Sequence, residues 1–361
     1  MKDFKGKIPT FKFDVKGQSG ELPQVGLGTA ELHGERCVSA VVEALKQGYR
    51  LIDTALLYGN QLEVGEGFRK SGLDRKDVWI TSKVAFFPPN SDDLWAAADH
   101  KRLNDKGGEE ASIDLALKQL GVDYVDLLLI HTPAASKEEY SAAAVPQFFE
   151  IFTYQGKEEA VRPERLPDGD NIRDLIAQAK RQRVKEANTA AHALTVRKGV
   201  WQAMEKALQQ GKAKYIGVSN YPVELLDQMQ SYANVMPCVN QLELHPGFSS
   251  PPLRAYAQSH GIVLTGYGSL LSHLIDAGDR RTLIDTIAQK HGKTPNQVVL
   301  KWTISRNVAV IPRSGSAEHI AENAALFDWQ LSEDELLAID KLNVDRPYYW
   351  DPVATVLTVV W

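Results

Sequence analysis

The feature that most constrains the fold is a repeated alternation of short apolar segments with helical patterns. Each apolar segment precedes a stretch whose apolar side chains recur at helical spacing, and several of these stretches end at a glycine such as Gly121 or Gly211. The predicted strands are 24–29, 51–54, 78–83, 124–131, 214–218, 238–244, 262–267 and 308–312. Strands that alternate with helices imply a parallel sheet, and this number of repeats favours a closed (β/α)8 TIM barrel, an α/β fold.

The start of the chain adds a predicted β-hairpin to this barrel. Residues 8–29 contain two short strand-like segments around a Gly17–Gly20 turn. A doubly wound fold is the alternative, but it would need a Gly-Xaa-Gly-Xaa-Xaa-Gly turn, and Gly26-Leu27-Gly28 does not continue that pattern. We therefore expect residues 1–361 to form a single barrel domain.

One connection is far longer than the others. Residues 134–197 separate the fourth strand from the next helix, whereas a strand-to-helix loop usually has about 2 to 6 residues. The segment carries an aromatic cluster at 148–154, and we interpret its basic run, 180–185, as a solvated helix face. Because it leaves from the carboxyl end of a strand, we expect this insertion to lie over the active face, as a lid or as part of the substrate pocket.

Composition excludes several classes of protein. The chain has 361 residues with a formal net charge of -5, which argues against nucleic acid as a partner. It has two cysteines in no metal-ligand spacing, which suits a reducing compartment, and no metal is expected. No apolar run could span a bilayer, and the first residues do not resemble a signal peptide. We predict a cytoplasmic protein without a membrane partner, monomeric by default, with a dimer as the alternative.

Polar side chains mark the ends of the second, third and fourth predicted strands. Asp53 follows the second strand and Tyr58 lies on the loop after it, while Lys83 and His131 end the next two strands. Each has a simple structural explanation alone, such as capping a turn or packing in the core. Together they point to an active site, because the carboxyl ends of neighbouring parallel strands lie side by side.

The chemistry of these four groups suits proton transfer. An ammonium about 4 Å from a phenol, at an effective dielectric of about 20, favours the phenolate by about 4 kcal/mol, or roughly three pKa units. We therefore expect Lys83 to lower the pKa of Tyr58 and Asp53 to keep Lys83 charged. His131 would donate to or orient a carbonyl oxygen.

A second set of side chains suits a nicotinamide cofactor. Ser219, Asn220 and Gln241 provide neutral donors and acceptors for an amide, and Tyr267 offers a ring that can stack on a planar heterocycle. After the eighth strand, the segment 311–314 precedes a helix, which is where a barrel often holds a phosphate. Its arginine and serine would suit a 2′-phosphate.

These motifs in this order resemble the aldo-keto reductase family over nearly all of residues 20–345. The matching stretches are LIDTALLYGN, TSK, LLLIH, IGVSN, NQLELHP and IPRS. The resemblance implies hydride transfer from NADPH, with NADH as the alternative cofactor, to a small-molecule aldehyde or ketone. The implied catalytic residues are Asp53, Tyr58, Lys83 and His131, with Tyr58 as general acid. The implied cofactor-binding residues are Gly28, Thr29, Ser219, Asn220, Gln241, Tyr267, Ser269, Leu270, Arg313, Ser314, His319, Glu322 and Asn323.

The chain also departs from the family pattern. His319 stands where the family usually has an arginine that closes on the 2′-phosphate, and 268–271 replaces the usual serine-leucine-glycine stretch. The positions where family members often carry pocket tryptophans are Ala30, Ala85 and Thr132. We therefore predict a wide pocket, refilled partly by Phe86, Phe87 and the insertion, that takes a bulky or extended carbonyl substrate. Residues 346–361 resemble the family's last loop over the pocket, or form a tail docked on the barrel wall.

Two alternatives come from other functional classes. A lysine that ends a barrel strand could form a Schiff base, in which case Lys83 would be an aldolase nucleophile. The chain could also be a regulatory subunit that binds NADPH with little turnover. The presence of all four polar side chains argues against both, because an aldolase would leave Asp53 and Tyr58 without a role.

Overall fold

The computed structural model of the protein describes residues 7–84, 108–133, 190–270, 279–345 and 347. The strands are β1 (Thr10–Val15), β2 (Gln18–Pro23), β3 (Leu27–Gly28), β4 (Leu51–Asp53), β5 (Trp79–Val84), β6 (Val125–Ile130), β7 (Ala213–Ser219), β8 (Val239–Glu243), β9 (Val263–Tyr267) and β10 (Val308–Val310). The α-helices are α1 (Gly34–Lys46), α2 (Gln61–Ser71), α3 (Gly108–Leu120), α4 (Ala190–Gln209), α5 (Val223–Met229), α6 (Pro251–Ser259), α7 (Asp279–His291), α8 (Pro295–Ser305), α9 (Ala317–Ala324) and α10 (Glu333–Asp340).

Strands β3 to β10 form an 8-stranded parallel sheet in which neighbours in space are neighbours in sequence. Parallel bridges join Val25 to Val310 and Gly28 to Arg313, so the last strand meets the first. The amide of Gly26 donates to Val310 O at 2.8 Å, and Val310 N donates to Gln24 O at 2.9 Å. The sheet therefore closes into the predicted (β/α)8 barrel.

The apolar strands are buried on both faces, as expected of a parallel sheet covered by helices. All six residues of β6 are buried, for example. A second apolar cluster, which includes Leu51, Leu127 and Val239, also contains Phe13 and Leu22 of the β1–β2 hairpin. The hairpin backbone is tied to Gly261, just before β9, so it covers the amino-terminal end of the barrel. The hairpin does not cover the carboxyl-terminal end of the barrel, where the predicted catalytic side chains lie.

Two local predictions need correction, and one helix was missed. The hairpin turn lies at Lys16–Gly17, not at Gly17–Gly20, because Gln18 is held in β2 by donating to Ile216 O and Met236 O at 2.9 and 2.7 Å. Helix α4 begins at Ala190, so residues 190–197 of the predicted insertion belong to a helix. Helix α10 was not predicted, although Ser332 and Glu335 form a capping box at its start.

Most of the predicted insertion, and the C-terminal loop apart from residue 347, lie outside the described residues. Their assignment as lid and pocket loop stays a prediction. Within the described ranges, no helix is both long enough and apolar enough to cross a bilayer.

Candidate active site

The four predicted catalytic side chains lie together at the carboxyl-terminal end of the barrel. Asp53 is the last residue of β4, Lys83 lies near the end of β5, and His131 directly follows β6. Tyr58 ends a one-turn 3-10 helix, Leu56–Tyr58, on the loop after β4. Parallel pairing of β4 with β5 and of β5 with β6 brings the three strand ends side by side, as the sequence predicted.

Lys83 is the centre of this arrangement. Its side chain is fully buried, and Nζ donates to Asp53 Oδ1 at 2.5 Å, to the Thr54 carbonyl at 3.1 Å and to the Tyr58 hydroxyl at 3.2 Å. An ammonium has three N–H donors, so these three acceptors satisfy all of them. A buried charge is tolerated only when it is paired and hydrogen-bonded in this way.

Asp53 is fixed from neighbouring strands as well. Gln241 on β8 donates from Nε2 to Asp53 Oδ2 at 2.7 Å, across the inside of the barrel. The backbone oxygen of Asp53 accepts hydrogen bonds from Thr29, at 2.9 Å from the hydroxyl and at 3.0 Å from the amide. The carboxylate therefore has little freedom to move away from Lys83.

Lys83 lowers the pKa of Tyr58, as predicted, but its charge does not decide the direction of the net shift. The phenol is only partly exposed, and desolvation is the largest influence on its pKa and raises it, while the charge of Lys83 lowers it by less. The net result is a pKa above the ordinary tyrosine value, so Tyr58 keeps its proton at neutral pH. The cost of burying the phenolate, which the sequence does not reveal, therefore outweighs the charge of Lys83.

Burial shifts the pKa values of Lys83 and Asp53 in opposite directions, as expected for a cation and an anion. Desolvation lowers the pKa of Lys83, but Asp53 and Tyr58 raise it by more, so the amine stays protonated. Desolvation raises the pKa of Asp53 more than Lys83 and Gln241 lower it. A Schiff-base lysine must be neutral to attack a carbonyl, so this environment argues against the aldolase alternative.

His131 lies beside Tyr58 at the open end of the barrel. The two ring centroids are 5.7 Å apart with an interplanar angle of 79°. The backbone of His131 is fixed on both sides, since its amide donates to Val84 O at 3.0 Å and its carbonyl accepts from Asn220 Nδ2 at 2.9 Å. Tyr58 and His131 thus lie side by side at the carboxyl-terminal end of the barrel, where one carbonyl oxygen could meet both.

The residues predicted to hold the nicotinamide form a network beside the catalytic group. Ser219 Oγ and Asn220 N both donate to the backbone oxygen of Gln241, at 2.7 and 2.8 Å. The hydroxyl of Tyr267 donates to Asn220 Oδ1 at 2.8 Å. Because Gln241 also contacts Asp53, the two predicted sets belong to one hydrogen-bonded network, a link that the sequence did not indicate.

The residues predicted to hold the adenosine end of the cofactor lie apart from this network. Arg313 forms an ion pair with Glu31, a residue that sequence reasoning missed. Ser314 Oγ accepts from Ser316 N at 3.0 Å, and the Ser316 side chain caps α9 by accepting from the His319 amide. The carboxylate of Glu322 accepts a hydrogen bond from the Thr294 hydroxyl, while Asn323 is buried.

The remaining predicted cofactor and pocket residues differ in their packing and burial. Gly28 packs so closely that an added Cβ would lie 2.4 Å from Ile311 O, and Ser269 Oγ donates to Gly266 O at 3.3 Å. Leu270 packs against the hydrophobic core. Among the predicted pocket residues, Ala30 is half-buried and Thr132 is buried. Ala85, Phe86 and Phe87 lie outside the described residues.

Comparison with known proteins decides the family, because the profile of the aldo/keto reductase family matches residues 24–344. The chain belongs to the aldo/keto reductase family. It is 34% identical to the NAD(P)H-dependent D-xylose reductase I,II of Candida tropicalis, over 96% of this chain and 97% of that protein. It is 33% identical to the NADH-dependent D-xylose reductase of Candida parapsilosis, over 93% of this chain and 95% of that protein.

Solved structures of aldo-keto reductases agree with this assignment. The Bombyx mori aldo-keto reductase, determined in complex with NADP, matches with a TM-score of 0.66 and 26% identity, over 95% of each chain. This aldo/keto reductase is therefore an NAD(P)H-dependent oxidoreductase with the (β/α)8 fold predicted from its sequence. The neutral amide and hydroxyl groups around Asn220 and the exposed guanidinium of Arg313 are donors of the kind that such a dinucleotide requires.

Proposed function

We propose that this aldo/keto reductase reduces an aldehyde or ketone to an alcohol and that Tyr58 is the general acid. The observation that carries the proposal is the buried chain from Asp53 through Lys83 to a protonated Tyr58 at the barrel mouth. Hydride from the cofactor would add to the carbonyl carbon, and the Tyr58 O–H would transfer its proton to the carbonyl oxygen. The bonds broken and formed then balance without any further reactant.

The other side chains take supporting roles in this proposal. Lys83, which donates to the Tyr58 oxygen at 3.2 Å, would stabilise the phenolate that remains after proton transfer. Asp53 holds Lys83 in that position, and His131 would orient the carbonyl oxygen next to the phenol. Ser219, Asn220 and Gln241 would hold the carboxamide of the cofactor and Tyr267 would stack on its ring. Arg313, Ser314, Glu322 and Asn323 would face its adenosine end.

The proposed substrate is a bulky or extended carbonyl compound. Ala30 and Thr132, at two strand ends beside the site, are small where a narrow pocket would need large side chains. The two named yeast relatives act on D-xylose, a sugar whose open-chain form is an extended aldehyde. We therefore expect open-chain sugars and larger aldehydes to be better substrates than the smallest aldehydes.

The test is NADPH oxidation, followed by absorbance, across a panel of small and bulky carbonyl compounds. We expect Tyr58→Phe to lose about 10²- to 10⁴-fold in kcat, because the general acid is removed. Binding of NADPH, followed by tryptophan fluorescence, should be retained in that variant. Tyr256→Phe is the matched control and should leave kcat unchanged, since this tyrosine of α6 stacks on His260, the residue that follows the helix.

Retention of normal turnover by Tyr58→Phe would contradict the role of Tyr58. Turnover that is absent in the native protein on every carbonyl, with NADPH binding intact, would instead favour a regulatory subunit. A preference for the smallest aldehydes would contradict only the prediction of an open pocket and would leave the role of Tyr58 intact.

A further inference from the structure

The loop of residues 313–316, between β10 and α9, is contacted by the side chain of Arg36, to which the family resemblance assigns no role. The inference from it rests on the proposed function, in which Arg313 and Ser314 face the adenosine end of the cofactor. A 2′-phosphate distinguishes NADPH from NADH and carries the negative charge that arginine recognises best. The charges around this loop therefore bear on which cofactor is preferred.

The positive charge of Arg313 is already matched by a carboxylate. Glu31 pairs with its guanidinium, and the side chains of Arg313 and Glu31 are 48% and 50% exposed, so both can face an incoming phosphate. The pairing is built into the barrel closure, because Gly28 N donates to Pro312 O at 3.3 Å and a parallel bridge joins Gly28 to Arg313. On its own, this ion pair offers a phosphate almost no net charge.

The backbone holds Glu31 in a conformation that glycine or asparagine would adopt more easily. Its φ is 60°, and the turn is closed by Leu32 N donating to Thr29 O at 3.0 Å. Asn60 fixes both ends of this turn by donating to the carbonyls of Thr29 and Leu32 at 2.7 and 2.8 Å. The backbone position from which the Glu31 side chain reaches Arg313 is therefore fixed by the turn.

A second arginine reaches the same loop from α1. Arg36 lies against Gly315, so that a Cβ added at Gly315 would be 2.4 Å from Nε and 3.2 Å from Cζ of Arg36. Any side chain at position 315 would displace the guanidinium. The absence of a side chain there thus leaves room for the Arg36 guanidinium against the loop that carries Arg313 and Ser314.

Helix stability does not account for this arginine. Arg36 is the third residue of α1, in the first turn, where the helix dipole disfavours a positive charge. Nor does an ion pair account for it, since no carboxylate in the described parts of the chain pairs with Arg36. The adjacent Glu35 is occupied elsewhere, within 4.0 Å of Lys70 on α2.

We propose that Arg36 binds the 2′-phosphate of NADPH and supplies the net positive charge that Arg313, paired with Glu31, does not. It takes the place of the arginine that the family usually carries where this chain has His319. Glu31 acts in the opposite direction, because it competes with the phosphate for Arg313. The balance of these two residues sets the preference between NADPH and NADH.

The experiment measures the dissociation constants of NADPH and NADH separately, by tryptophan fluorescence, without any substrate. We expect Arg36→Gln to weaken NADPH binding by about tenfold and to change NADH binding by less than about twofold. Glu31→Gln should tighten NADPH binding severalfold with NADH again nearly unchanged. Lys12→Gln removes a cation from the hairpin at the opposite end of the barrel and should alter neither constant.

Three results would overturn the proposal. They are an unchanged NADPH constant in Arg36→Gln, an equal loss of both cofactors in that variant, and a weaker NADPH affinity in Glu31→Gln. Arg313→Gln separates this failure from failure of the proposed cofactor site. If Arg313→Gln selectively weakens NADPH and Arg36→Gln does not, only the role of Arg36 is wrong. If neither dinucleotide binds the native protein, the proposed function itself is wrong.

Discussion

Two lysine–carboxylate pairs in this molecule have similar N–O distances, but the pKa of the carboxyl group is raised in one pair and lowered in the other. Inside the barrel, Lys83 Nζ lies 2.5 Å from Asp53; outside it, Lys290 Nζ lies 2.7 Å from Glu335 at the start of α10. Burial raises the pKa of Asp53 in spite of Lys83. Burial also raises the pKa of Glu335, but hydrogen bonds from Lys290, the Ser332 amide and His291 outweigh it and lower the pKa to about 2.

The difference comes from solvent and from the backbone. Lys290 is 65% exposed, so its ammonium keeps most of its hydration while it pairs with the buried Glu335 carboxylate. Glu335 also accepts the Ser332 amide at 2.8 Å as part of a capping box. The Asp53–Lys83 pair has neither advantage, because both side chains are taken out of water. The outer pair stabilises a helix end, whereas the inner pair is maintained against a desolvation cost and positions a phenol.

The largest effect should come from Lys83→Met. This change leaves the Asp53 carboxylate buried without its counter-ion, so we expect a loss of about 3–5 kcal/mol in the free energy of unfolding. Carbonyl reduction should fall by at least about 10²-fold, because Tyr58 loses its hydrogen-bonded neighbour. Chemical denaturation and NADPH oxidation measure the two effects. A variant with native stability and activity would remove the distinction between the two pairs.

A smaller effect is expected from Glu335→Gln, which keeps a capping side chain but removes its charge. The folded pKa of Glu335 lies below the unfolded value of about 4.3, so its stabilisation is present above that pH and is lost as the pH falls towards 2. We expect the variant to be less stable by about 1–2 kcal/mol at neutral pH, after allowance for solvent screening. Thermal unfolding from neutral to acidic pH should show this difference shrinking. A constant difference at all pH values would indicate lost packing.

The smallest effect should come from Lys290→Met. Its ammonium is exposed and Glu335 keeps the Ser332 amide and His291 as partners, so we expect a loss of less than about 1 kcal/mol. Denaturation midpoints of this variant and of Lys83→Met, measured under the same conditions, give the comparison directly. Equal losses would mean that burial does not separate the two pairs.

Much of the fold was accessible from the sequence, because parallel strands and their helices leave strong local patterns. The strand ends that carry Asp53, Lys83 and His131 could be located, and strand order then placed these residues together. The family resemblance predicted the fold that the comparisons confirm. Helix α10 was missed although its capping residues, Ser332 and Glu335, were visible in the sequence.

Other features depend on contacts between residues that are distant in sequence and on how deeply a side chain is buried. The pair between Arg313 and Glu31 exists only because the barrel closes, and nothing local relates these two positions. The same is true of Arg36 against Gly315 and of Gln241 against Asp53. The sign of the pKa shift of Tyr58 also required the structure, since burial outweighs a neighbouring ammonium there.

The most direct test of the central claim is the ionisation of Tyr58 itself. Absorbance at the phenolate band is followed against pH for the native protein and for Tyr58→Phe, and the difference between the two curves reports Tyr58 alone. Because the pKa of Tyr58 is raised, we expect no phenolate signal in the difference until the pH exceeds the ordinary tyrosine value of about 10. A difference signal that rises between about pH 7 and about pH 9 would contradict the account, since Lys83 would then dominate over burial.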